Sequence, residues 1–196
     1  MLFGDVPVEQ WPPDEDADAF PWSAFVEARR NPDRAVELWL QVAHAESVEP
    51  RHVAQAWHFL RAAGVRPEPE EAGRVLGIVV EFGMKKGVDV LAVYADRSVR
   101  YYNHAGGGIE LEPAPPEHAE LVDALLEASG GVVAATGPWD EPRLGPPDRK
   151  SARMTFLTPG GLHFGQGPTK RLYDDPVGGL VLKGATLLLA DITAKS

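Results

Sequence analysis

The chain has 196 residues, 44% of them hydrophobic and 24% charged, with a formal net charge of −10 and a pI near 5.0. That length and apolar content suffice to bury one ordinary core, and they lie far from the composition of a disordered chain. No cysteine is present, which excludes disulfides, thiolate zinc sites, iron–sulfur clusters and cysteine nucleophiles. The acidity opposes phosphate backbones and anionic lipid surfaces, so neither nucleic acid nor a membrane is an expected partner.

Residues 1–18 contain no Lys or Arg and hold Asp5, Glu9, Asp14, Glu15, Asp16 and Asp18, the reverse of the basic start of a secretory signal. The apolar runs at 75–80 and 187–190 fall well short of the roughly 20 residues that a membrane helix needs. The expected location is a bacterial-type cytoplasm.

Residues 1–20, with Pro7, Pro12, Pro13 and these acids, read as an extended, partly mobile lead-in, in which Trp11 and Phe20 either pin the segment or face a partner. A helical unit follows over 21–66. Its first helix, 21–30, is marked by Trp22, Phe25 and Val26. The second starts at Asn31 and Pro32 and carries Val36, Trp39, Leu40 and Ala43 to about residue 45. Pro50 opens the third, in which Val53, Trp57, Leu60 and Arg61 share one stripe, and Gly64 and Pro67 end it. Trp39 and Trp57 are expected to pack on each other or on the sheet.

After a Pro- and Glu-rich connector at 67–72 the period changes. Strands are expected over 74–82, 88–95 and 98–104, with turns at 85–87 and 96–97 and a short strand at 109–112. A helix over 117–129 has acids in its first turn and Gly130 after its end. Residues 131–135 read as a further strand and 137–149 as an exposed loop with four prolines. A hairpin spans 152–166, where a three-residue loop of Pro159, Gly160 and Gly161 would set Phe156 opposite Phe164. Asp175 caps a last helix that starts at Pro176 and presents Leu180, Ala185, Leu188 and Leu189. The fold class is therefore α+β, an antiparallel sheet covered by helices, with 74–196 forming one compact unit with the helical segment 21–66.

In the order of its elements, the stretch 75–193 is similar in outline to the profilin-like and roadblock-like group, whose members are mostly binding or regulatory modules. That resemblance implies a binding role and transfers no site residue.

The chemistry-bearing residues form no familiar pattern. The histidines are His44, His52, His58, His104, His118 and His163. His52 and His58 do not share a helix face, and no HExxH arrangement occurs. Ser23, Ser47, Ser98, Ser129, Ser151 and Ser196 stand in no nucleophile motif. The acid pairs Asp14 with Asp16, Asp140 with Glu141 and Asp174 with Asp175 fall in expected loops, where solvated charge is ordinary. No catalytic residue, metal or cofactor is expected.

Three features remain. Trp139, between Pro138 and Asp140, is a candidate interface anchor. Arg100, Tyr102 and His104 alternate with Tyr101 and Asn103, so one sheet face carries polar and aromatic groups suited to a protein. Over 160–171, Gly160, Gly161, Gly165 and Gly167 precede Lys170 and Arg171, a candidate anion site; the plainer reading is turn glycines beside two surface cations. His163 within it reads as a half-buried sheet residue.

The leading expectation is a non-enzymatic protein-interaction or regulatory module using Trp139, Tyr102, Arg100 and His104. The second is a small anionic-ligand binder or enzyme using Gly165, Gly167, Lys170 and Arg171. A third is an acidic inhibitor or immunity-type protein that blocks a basic toxin. A homo-oligomer stays open.

Overall fold

The computed structural model describes residues 1–14 and 16–194; Glu15, Lys195 and Ser196 lie outside the described residues. The helices are α1 (Trp22–Arg30), α2 (Ala35–Ala43), α3 (Pro50–Ala62), α4 (Pro69–Ala72), α5 (Pro116–Ala135), α6 (Thr169–Tyr173) and α7 (Gly178–Ala194). The strands are β1 (Gly77–Gly83), β2 (Val88–Tyr94), β3 (Val99–Tyr102), β4 (Gly108–Leu111), β5 (Ser151–Thr158) and β6 (Gly161–Pro168). They form one antiparallel sheet in the order β4-β3-β2-β1-β5-β6. The class is α+β, as the sequence predicts. None of the described helices is long and apolar enough to cross a membrane.

The unbroken apolar run of β1 has a direct cause. Successive strand residues point to opposite faces, and Ile78, Val79 and Val80 are all fully buried. Ile78 and Val80, with Leu91, Val93, Met154 and Phe156, face a core supplied by Val122, Leu125, Val132 and Val133 of α5 and Val181, Leu182, Ala185 and Leu188 of α7. Val79, with Ala92, Tyr94 and Leu157, faces a second core built from α1, α2 and α3. Both sheet faces are covered at their centre, and β4 and β6 are the edges.

Trp57 is 2% exposed in the core that includes the Val79 face of the sheet. Trp39 is only partly buried and lies 5.2 Å from the ring of Phe59 instead. The lead-in is tied down over much of its length. Trp11 is buried, with its ring 4.9 Å from Trp22 and 6.0 Å from Phe25. The Gln55 side-chain amide accepts from the Val6 N–H at 3.0 Å and donates to its carbonyl at 2.8 Å, so it pairs with that residue much as a neighbouring strand would. The Tyr94 hydroxyl donates to the Leu2 carbonyl at 2.9 Å.

Three local expectations are corrected. Residues 131–135 are helical, because α5 runs through Gly130 and Gly131 to Ala135. Val132 and Val133 fall seven and eight positions after Leu125, on the same buried face, and that packing outweighs the glycine pair. The hairpin pairs Phe156 with His163 and Thr155 with Phe164. Its connection is the two residues Pro159 and Gly160, and Gly161 at φ +143° is already paired with Thr158. That one-residue slip sends Phe156 and Phe164 to opposite faces. The five-residue α6 was not expected at all. Asp175 does cap α7, accepting from the N–H groups of Val177 at 3.0 Å and Gly178 at 2.7 Å.

One buried group ties the helical layer to pH. His52 of α3 is 1% exposed, and its ring lies 5.9 Å from Trp11 and 4.7 Å from Trp22. Neither ring nitrogen has a hydrogen-bond partner. Burial pushes its pKa down to about 4, with Glu49 opposing and Arg51 and Arg100 assisting. The folded protein therefore binds this proton less well than the unfolded chain, and acid favours unfolding. Stability from this group is complete above about pH 6.5 and falls as the pH drops toward 4, by about 3 kcal/mol in all. Urea unfolding at a series of pH values measures the slope, and His52→Leu should flatten it over that window.

Candidate functional site

A cleft of about 950 Å³ lies beyond the β5–β6 turn, where the sheet ends. Six segments wall it, together with Asp5. The last turns of α3 supply His58, Arg61 and Ala62, spaced so that they share one helix face. Gly64, at φ +85°, then turns the chain and brings Arg66 and Pro67 alongside. The end of α4 adds Ala72 and Gly73, and the end of α5 adds Gly130, Val133 and Ala134. Residues 138–143 and 160–163 complete the wall.

The loop that carries Trp139 is exposed in its side chains but anchored through its backbone. The Trp139 N–H donates to the Leu162 carbonyl at 2.6 Å, and the Lys150 N–H donates to that of Gly83 at 3.0 Å. Gly83 is required there, since a Cβ would run into the carbonyl of Asp148. Between these ends Arg153, 1% exposed on β5, reaches up from the sheet. Its Nη1 donates to the Leu144 carbonyl at 2.7 Å, its Nη2 to that of Gly145, and its Nε to Gln166 Oε1 at 2.9 Å. Glu81 of β1, 3.6 Å away, balances the charge while burial holds its carboxyl above the usual range. The Trp139 indole, 39% exposed, meets Phe164 edge-on at 4.7 Å and presents its remaining surface to the cleft.

The polar groups divide into neutral, paired and unpaired. His58 and His163 both have their pKa lowered, chiefly by burial, which favours the neutral ring at pH 7. Thr136 Oγ1 donates to the Val132 carbonyl at 2.9 Å and lies 3.0 Å from the Nδ1 of His163. Asp5 pairs with Arg143 at 2.8 Å, and the Arg143 guanidinium lies 3.8 Å from the centre of the Phe3 ring. Asp140 and Glu141 stand exposed at the rim.

Arg61 and Arg66 differ from all of these. Arg61 Nη1 donates to the Pro159 carbonyl, and Arg66 Nη1 to the Arg61 carbonyl, each at 2.6 Å. No carboxylate among the described residues pairs with either. Burial and the neighbouring Arg66 bring the Arg61 pKa down to about 10.

The residues singled out from sequence are scattered. Trp139 and the Gly160–Gly161 turn lie on the cleft. The Gly160 N–H, however, already donates to the Ala72 carbonyl at 2.9 Å, and that of Gly161 to Thr158 Oγ1 at 3.2 Å. Gly165 and Gly167 are inside β6, beneath Met154 and Leu172, and Lys170 and Arg171 stand exposed on α6. Arg100 is buried, paired with Glu112 and, at 3.4 Å, with Glu49. The Tyr102 hydroxyl donates to Glu110, and His104 contacts Asp89 at 2.7 Å. Sequence reasoning missed Arg66 and the cleft-facing role of His58 and Arg61. The available signal was the cation at position 61 in an otherwise apolar stripe, with a second five residues later. The described residues hold no cluster of three or more potential metal ligands.

No protein-family model, curated protein or solved structure matches the chain. The outline likeness to the profilin-like and roadblock-like group therefore rests on element order alone.

Removing Arg153 would leave Glu81 as an uncompensated buried charge and release the loop. Arg153→Leu should cost about 3–5 kcal/mol in urea unfolding. The double variant with Glu81→Leu should recover a large part of that loss, because no lone charge then remains inside.

Proposed function

We propose that the chain is a non-enzymatic binding module that docks a partner protein at the cleft beside Trp139. The observation that carries this reading is the indole itself. It is a large aromatic surface left 39% exposed on a backbone fixed by the sheet, the arrangement that interface anchors favour. Pro138, Pro142, Leu162 and Val133 extend the apolar wall of the same cleft, and the guanidinium groups of Arg61 and Arg66, which have no carboxylate partner among the described residues, supply polar specificity. The sheet face carrying Arg100 is a weaker candidate, because that arginine is enclosed by Glu49 and Glu112. The acidity of the whole chain also fits an inhibitor of a basic protein. Such a complex would weaken steeply with salt.

Affinity capture of the tagged chain and of Trp139→Ala from native extract, at low and high salt, tests the reading. The parent chain should retain a stoichiometric partner. The variant should lose it while its melting temperature moves by no more than about 4 °C, the shift that about 1 kcal/mol produces at this size. A partner retained equally by both chains would place the docking surface elsewhere.

A further inference from the structure

Acidic side chains outnumber basic ones by 29 to 19 in this chain, so local counterions are plentiful. Arg51, Arg74, Arg97, Arg100, Arg143 and Arg153 each have a carboxylate partner. Arg61 and Arg66 have none among the described residues, although both line the cleft beside Trp139 and each lies close enough to the other to repel it. Their bonds to the Pro159 and Arg61 carbonyls orient the two groups without neutralising them. A guanidinium carries five donors, and one carbonyl at Arg61 and two at a single nitrogen of Arg66, those of Arg61 and Val65, leave most of that capacity for whatever enters.

We propose that the cleft recognises an acidic peptide segment, seating an Asp or Glu carboxylate against Arg61 and Arg66 and laying a neighbouring apolar side chain on Trp139. This deepens the docking reading above and rests on it for the protein nature of the ligand. The planar fork of a guanidinium matches a carboxylate in two parallel hydrogen bonds. A free phosphate fits the observations less well. It would use only the Arg61 and Arg66 end of a space of about 950 Å³ and leave the wall of Trp139, Leu162, Pro138 and Val133 wet. A peptide fills both regions.

The test uses the intact chain with three probes at matched ionic strength: a fluorescein-labelled hexapeptide alternating Glu and Leu, the same peptide with Gln for Glu, and inorganic phosphate. Fluorescence anisotropy should show the Glu peptide bound at least about tenfold more tightly than the Gln peptide, the effect of one good charge-assisted contact. Arg66→Gln, a change at an exposed residue, should remove that preference, and phosphate should fail to displace the peptide. Equal binding of the two peptides overturns the inference. So does displacement by phosphate, which would mark a small-anion site, and so does absence of binding by any probe up to about 1 mM. Outcomes separate this inference from the docking reading. Partner capture that depends on Trp139 while the peptides bind alike leaves docking standing and removes the carboxylate. A Glu preference that needs Arg66, with capture indifferent to Trp139, does the reverse.

Discussion

The strand at the centre of the sheet must be kept from water on both sides, and most of the architecture answers that requirement. Ile78, Val79 and Val80 of β1 are fully buried, so neither face of the sheet can be left to solvent. α5 and α7 close one face; α1, α2 and α3 close the centre of the other. Glu81, Arg153 and Thr155 lie on the same side toward the β5–β6 edge. There the 137–149 loop serves as the cover, held by carbonyl groups in place of apolar side chains. The cleft forms where these two kinds of cover meet, which explains why its walls come from segments far apart in the chain.

Charge is distributed on two length scales. At long range the net −10 repels anions. That field is screened within about 8–10 Å at ordinary salt, and inside this radius the cleft offers two guanidinium groups without counterions beside two neutral imidazoles. A small anion meets mainly the repulsion. An acidic segment carried on a larger body can be brought close by other contacts, and then meets the local attraction.

What was legible in the sequence was local. The three N-terminal helices, the β1–β3 meander and the Asp175 cap follow from period and from terminal residues that act within one turn. Trp139 was legible because prolines at 138 and 142 force an irregular backbone around an aromatic residue. The hairpin register was not, since Pro159, Gly160 and Gly161 support a loop of two or of three residues, and the choice depends on Thr158 bonding to Gly161. Burial of Arg100 was illegible for a related reason. Alternation separates two faces without saying which residues of distant elements, here Glu49, will lie over one of them. Arg61 and Arg66 converge with residues nearly a hundred positions later, which no spacing pattern records.

The clamp formed by Arg153 has a consequence for how any ligand would be received. Its bonds to Leu144 and Gly145, together with the Trp139 contact to Leu162, order a proline-rich loop when the chain folds. The conformational entropy of that segment is therefore already lost before a ligand arrives. Association at Trp139 then requires little rearrangement of the protein, and rigid reception of this kind favours shape selectivity over adaptability to many different ligands.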